Sequence, residues 1–142
     1  MDKTQGFELL PRTADIHMRA WGKTIKELFR NALQGMAALM QPSLAHTSVL
    51  KKEKQEIRVD AVDINSLLVE FLSKVTALSD IHNMVFTHIT FKTLGDNFLE
   101  AELSGMHTDE FEKEIKAVSY HEVDIKRNPE SGLYETTLIF DI

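Results

Sequence analysis

The chain has 142 residues, a formal net charge of −6 and no cysteine, and 43% of its residues are hydrophobic and 27% charged. This length and composition predict one soluble domain over residues 1–142, and the lack of cysteine excludes disulfides, thiolate zinc sites and cysteine nucleophiles. The acidic charge disfavours tight direct binding to nucleic acid, and no membrane-length apolar run or signal-peptide layout is present, so we expect a cytoplasmic protein without membrane contact.

The first part of the chain predicts two strands and a long helix. Residues 7–10 form a short strand, and residues 16–21 alternate apolar with polar or small side chains. Thr24 and Glu27 have the spacing of a capping box, and the helix then runs to Pro42. Its apolar stripe consists of Ile25, Leu28, Phe29, Ala32, Leu33, Met36, Leu39 and Met40.

The middle of the chain predicts a loop, a strand, a second long helix and a β-hairpin with a turn at 94–97. Asp63 is the expected cap of the helix. The loop covers residues 43–54, the strand residues 57–61 and the helix residues 63–78. The two strands of the hairpin are residues 84–92 and 98–103.

The last part predicts a short helix and two more strands. Thr108 or Asp109 caps the helix, whose apolar residues continue to Val118. Residues 122–126 form a strand, a Pro- and Gly-containing turn follows at 128–132, and residues 134–141 form the final strand.

The predicted order is β-β-α-β-α-β-β-α-β-β, which indicates an α+β class. We expect one mostly antiparallel sheet, or more than one, with two long helices and one short helix packed against it. The strand–helix–strands order occurs twice, which is compatible with an internal β-α-β-β duplication.

The end of the sequence carries the first candidate site. An apolar run leads to Asp141 and Ile142, so the Asp141 carboxylate and the α-carboxylate of Ile142 would lie close together. Two anionic groups held together repel unless a cation lies between them, which indicates a hard-cation site of oxygen ligands. Asp15 is a candidate third ligand. In the alternative interpretation, Asp141 is a solvated acid that ends a strand.

A second candidate segment is Glu-Ile-Lys-Ala-Val-Ser-Tyr-His at 114–121, rich in groups that donate or move protons. These groups are Lys116, Ser119, Tyr120 and His121. The alternative is an amphipathic helix end whose basic groups complement the helix dipole. The other histidines show no zinc-binding spacing, and we interpret them as ordinary surface or strand residues.

Taken together, these segments resemble the archease family. The resemblance covers the whole chain and rests on Thr-Ala-Asp-Ile at 13–16, Trp-Gly-Lys-Thr at 21–24, the 114–121 segment and the terminal Phe-Asp-Ile. Family members usually carry a histidine just before Thr-Ala-Asp, where this chain has Arg12, so the role of that histidine is not carried over.

The resemblance implies a non-enzymatic accessory protein that acts transiently on the RtcB-type RNA-splicing ligase. Archeases promote guanylylation and multiple turnover of this ligase in tRNA splicing and RNA repair. The resemblance also implies a bound divalent cation. Calcium is the first candidate for this ion, and magnesium and manganese are alternatives. Its ligands here would be Asp15, Asp141 and Ile142. The implied functional patch consists of Lys116, Ser119, Tyr120, His121 and Arg12.

Two other function classes stay open at this point. The first is a stand-alone metal-dependent hydrolase or phosphotransferase, which the carboxylates and Lys116 permit but no nucleophile or two-metal motif supports. The second is a chaperone-like adaptor stabilised by metal, for which metal removal would lower stability without altering one ligase step.

Overall fold

A computed structural model describes residues 6–11, 15–45 and 53–142. Two antiparallel sheets and three helices account for the described elements. The first sheet has the order β1-β2-β8-β6, and β7 also pairs with β8. Its strands are β1 Phe7–Pro11, β2 Asp15–Gly22, β6 Ala117–Val118, β7 Lys126–Arg127 and β8 Tyr134–Asp141.

The second sheet has the order β3-β5-β4, and its strands come from the middle of the chain. They are β3 Glu53–Asp60, β4 Met84–Leu94 and β5 Phe98–His107. The hairpin of β4 and β5 and its turn confirm the predicted hairpin, although both strands extend beyond the predicted ends. The helices are α1 Ile25–Met40, α2 Pro42–Ala45 and α3 Ile64–His82.

Both long helices begin at the predicted caps. The Thr24 hydroxyl accepts from the Glu27 amide at 3.0 Å, and the Asp63 carboxylate accepts from the Ser66 amide at 2.8 Å. Each cap satisfies an amide that has no partner inside its helix. Hydrogen bonds from the backbone and the side chain of Ser66 are the main reason that the pKa of Asp63 lies below its ordinary value of 3.8.

The core lies between the inner faces of the sheets and the two long helices. Phe29 of α1 and Phe71 of α3 stack with ring centroids 5.8 Å apart. Met18 and Phe140 from the first sheet and Leu103 from the second are completely buried in the same cluster. The α+β class with antiparallel sheets and three helices is therefore confirmed, but the short helix is α2 and not the one predicted.

Three local predictions were wrong, the clearest being the short helix from Thr108 or Asp109 to Val118. Its backbone amides bond to distant elements: Glu112 donates to the Met40 carbonyl at 2.8 Å and Lys116 to the Asp141 carbonyl at 2.8 Å. Ile115 and Val118 are buried as expected, but as parts of an extended segment that ends in β6. Tertiary hydrogen bonds here replace those of a helix.

The predicted strand at 122–126 is reduced to the two residues of β7. Glu122 has a φ of +69°, which does not fit a strand. The amides of Asp124 and Ile125 donate to the side chains of Thr136 and Asn65, both at distances below 3.0 Å. Side-chain acceptors therefore take the place of a strand ladder.

The predicted loop at 43–54 also differs in its described parts, because α2 occupies its beginning and β3 starts at Glu53. The remainder, residues 46–52, lies outside the described residues. The structure does not test an internal duplication, which stays a prediction. In the described ranges, no helix has the length and apolar character that a membrane span requires.

At Gly105 the backbone of β4 comes close to β5. A Cβ atom there would overlap the Val85 carbonyl oxygen and lie 2.8 Å from Phe86 Cα, whereas a Cβ at Gly95 would meet only the Phe98 oxygen at 3.7 Å. We expect Gly105→Ala to lower the free energy of unfolding by roughly 1–3 kcal/mol, because backbone atoms must move. Chemical denaturation with Gly95→Ala as the control measures this, and equal stabilities would contradict the tight packing.

The cap of α3 should depend on pH. Because the folded pKa of Asp63 is depressed, its stabilising effect is present above pH 3.8 and is lost as pH falls through the folded pKa. We therefore expect wild type to be more stable than Asp63→Asn at pH 7, with the difference disappearing on acidification below about pH 3.8. Denaturation curves of both proteins across pH 3–7 test this, and a pH-independent difference would contradict it.

Candidate functional site

The site is built at one end of the β2–β8 ladder. Asp15 and Asp141 are direct partners in this antiparallel pairing, and Ala117 of β6 is opposite Asp141 on the other side. Directly paired residues have Cβ atoms about 4.5–5.5 Å apart on one face of the sheet, and like charges in such positions destabilise the pair. The structure thus brings together two of the three predicted ligands, from opposite ends of the sequence.

The third predicted ligand follows directly on the chain. Ile142 is partly buried, and its side chain packs against the core. This packing anchors the residue whose α-carboxylate is the predicted third ligand. Asp141 itself is exposed, and the Asp15 side chain is 39% exposed, so a hydrated ion can reach both carboxylates.

The predicted functional patch follows the same edge. Its segment is attached to β8 by two backbone hydrogen bonds, from the Lys116 amide to the Asp141 carbonyl and from the Ser119 amide to the Ile139 carbonyl, at 2.8 and 2.9 Å. The side chains of Lys116, Tyr120 and His121 are exposed. Strand pairing therefore places this segment beside the two aspartates.

Two contacts shape the turn that contains the patch. The Tyr120 hydroxyl donates to the Glu70 carboxylate of α3, and the His121 amide donates to the Ser119 hydroxyl at 2.9 Å. The first contact ties the patch to a long helix, and the second closes the turn. Arg12, the remaining predicted member of the patch, lies outside the described residues.

His17 is a site residue that our sequence interpretation missed. Its ring lies between two carboxylates, with Nε2 3.3 Å from Asp15 Oδ1 and Nδ1 3.6 Å from Glu122 Oε2. The signal was available in the sequence, because residues two apart on a strand share one face, and Asp15 and His17 have this spacing. Glu122 had no comparable signal, since its place follows from the turn after Tyr120.

Next to His17 and Glu122, a polar groove with a volume of about 210 Å³ opens on the outer face of the first sheet. Within it, Arg19 pairs with Glu135 at 2.8 Å, and Lys126 pairs with Asp124 at 3.1 Å. The groove is lined by Arg19, Glu122, Asp124, Lys126, Glu135, Thr136 and Thr137. Its cations and most of its acids are paired with each other, so it adds little net charge to the aspartate edge.

The arrangement fits a hard cation in the chemistry of its donors, which are carboxylate oxygens. In the described parts of the chain, no three His, Asp or Glu side chains already converge closely enough to hold a metal ion. A complete ligand set would therefore need the Ile142 carboxylate or a change of side-chain rotamer.

The fold and the site define a small two-sheet α+β domain with paired acids at the edge of its central strands. The model of the archease protein family matches residues 7–142 of this chain. The chain belongs to the archease family, as its sequence motifs predicted.

Related proteins and structures agree with this assignment. A protein named archease from Pyrococcus abyssi is 32% identical to this chain, and the alignment covers 96% of this chain and 98% of the relative. A protein named archease from Methanosarcina mazei is 27% identical, and the alignment covers 96% of this chain and 95% of the relative. A solution structure from Methanobacterium thermoautotrophicum has a TM-score of 0.71 at 26% identity, and the match covers 96% of this chain and 99% of that one.

A crystal structure from Thermotoga maritima, described as an archease and a possible chaperone, shares the fold. Its TM-score is 0.64 at 19% identity, with 94% of both chains covered. At this identity the likeness concerns the fold alone.

The opposed aspartates lead to a prediction about stability. Without a cation, Asp141→Asn removes one of two like charges that face each other, so we expect the free energy of unfolding to rise by roughly 0.2–1 kcal/mol. Denaturation in the presence of a chelator measures this change. Asp96→Asn, in the exposed turn between β4 and β5, is the control. A loss of stability in Asp141→Asn would show that the two carboxylates do not repel.

Proposed function

We propose that this chain is a non-enzymatic activator of the RtcB-type RNA-splicing ligase. In this role it promotes guanylylation of the ligase's active-site histidine and allows multiple turnover in tRNA splicing and RNA repair. Membership in the archease family across residues 7–142 supports the proposal, and the paired Asp15 and Asp141 are the single structural observation that carries it.

The proposal includes a divalent-cation site formed by Asp15, Asp141 and the α-carboxylate of Ile142. Calcium is the ion that the family resemblance implies, and magnesium or manganese would also accept these oxygen donors. When bound, the ion would supply positive charge that can contact the triphosphate of the ligase's nucleotide. The two aspartates hold this position because neighbouring strands fix their backbones in register.

The patch beside the aspartates is the proposed contact surface for the ligase. Lys116 is exposed, and its backbone amide is bonded to the Asp141 carbonyl, so its backbone lies at the same edge as the carboxylates. Tyr120 is 53% exposed, which is unusual for a large aromatic side chain and suits a protein contact. Ser119, His121 and Arg12 complete the proposed patch.

The charge of the chain supports an indirect role in RNA ligation. A net charge of −6 repels a phosphate backbone, so in this proposal the ligase holds the RNA and this chain contacts the ligase transiently. Binding of RNA by the chain alone is not required.

Single-turnover guanylylation of the partner ligase tests the proposal. We expect wild type to accelerate formation of the covalent nucleotide adduct, and we expect Asp15→Ala, Asp141→Ala and Lys116→Ala to reduce that acceleration at least about tenfold, in line with the cost of disturbing a metal site. Asp96→Ala and Lys113→Ala serve as charge-matched controls and should activate like wild type.

The other outcomes distinguish the remaining function classes. Hydrolysis of nucleotide or RNA by the chain without the ligase would identify a stand-alone enzyme instead of an activator. If wild type leaves adduct formation unchanged but metal removal lowers its melting temperature, a metal-stabilised adaptor is the better description.

A further inference from the structure

His17 has a position that the proposed oxygen ligands do not explain. It lies on the outer face of β2, two residues after Asp15, and its side chain is 19% exposed. Both ring nitrogens face carboxylates, those of Asp15 and Glu122. A half-buried imidazole between two acids is the arrangement that needs explaining.

The contact with Asp15 has the separation expected of two ligands on one ion. Donor atoms that are each about 2.1 Å from a metal lie about 3.0 Å apart at a right angle and about 3.4 Å apart at a tetrahedral angle. The Nε2 atom of His17 is 3.3 Å from Asp15 Oδ1. Either a proton on Nε2 or a cation between the two atoms can offset the repulsion of their lone pairs.

The position of Glu122 is compatible with a cation between these two atoms. Metal-binding histidines commonly direct the second ring nitrogen to a carboxylate, which fixes the tautomer and leaves the first nitrogen unprotonated for the metal. The Nδ1 atom of His17 faces Glu122 Oε2 at 3.6 Å. Glu122 is held there by a left-handed backbone with a φ of +69°, which is costly for a residue other than glycine and is often found at functional sites.

We propose that His17 contributes a nitrogen ligand to the cation site and that Glu122 orients its ring. This inference rests on the proposed cation site at Asp15 and Asp141, and it concerns which ion that site prefers. Asp141 is exposed, so its side chain can turn toward Asp15 across the ladder when an ion draws the two together.

The consequence is a change in metal preference. Calcium and magnesium take oxygen ligands almost exclusively, whereas manganese and the later first-row ions also accept imidazole. A mixed donor set of His17 and carboxylates therefore favours Mn²⁺ over Ca²⁺ in this chain.

Calorimetric titration of the metal-free protein with Mn²⁺ and with Ca²⁺ tests the proposal. We expect His17→Gln to weaken Mn²⁺ binding at least about tenfold and Glu122→Gln to weaken it about tenfold, while Ca²⁺ binding changes less than about twofold. His107→Gln is the matched control, because His107 pairs with Glu53 at 3.1 Å on the second sheet and should leave both affinities unchanged.

Pulsed electron paramagnetic resonance of Mn²⁺ bound to wild type adds a measurement that does not depend on any variant folding. Hyperfine coupling to a directly bound nitrogen is expected in wild type, and its absence would overturn the proposal. Equal losses of Mn²⁺ and Ca²⁺ affinity in His17→Gln would also overturn it, because they would show that His17 only positions Asp15.

Asp15→Asn separates this inference from the proposed function. If it abolishes binding of both ions while His17→Gln changes neither affinity, the cation site stands and the nitrogen ligand is wrong. If Asp15→Asn leaves both affinities intact, the proposed cation site is wrong, and the inference fails with it.

Discussion

The antiparallel ladder between β2 and β8 is the constraint on which the rest of the structure depends. It pairs eight residues of each strand, from Asp15 with Asp141 to Gly22 with Tyr134. The two strands are more than 100 residues apart in the sequence, so the pairing closes a long loop and must offset its entropy through buried contacts. Met18, Leu138 and Phe140 supply those contacts on the inner face, where all three are completely buried.

The same register that builds the core also builds the acidic edge. Side chains alternate along a strand, so burial of Ile16 and Phe140 places Asp15 and Asp141 on the opposite, outer face. A slip by one residue would expose the buried pair and bury the acids. Core packing therefore holds two like charges opposite each other at a position where electrostatics alone would separate them. That tension is the physical basis for the proposed cation site.

The last segment before β7 shows how tertiary contacts override local pattern. Residues 108–118 have apolar spacing that suits a helix, yet their amides bond to Met40 and Asp141. The resulting extended path brings the Lys116 to Glu122 region along the end of β8 and places Glu122 against His17. A helix in this region would satisfy the same backbone groups internally and leave the edge of β8 unpaired.

Most of the regular structure could be read from the sequence. The long helices could be predicted because their caps at Thr24 and Asp63 and their apolar stripes are short-range signals. The β4–β5 hairpin and the final strand could be predicted from local sequence in the same way. Family motifs pointed to Asp15, Asp141 and Lys116 as site residues. The contact of His17 with Glu122, the pairing of β6 and the backbone of residues 108–125 followed only from the tertiary structure. These features depend on hydrogen bonds and packing between residues that are far apart in the chain. Local side-chain spacing does not indicate which distant residues will be partners.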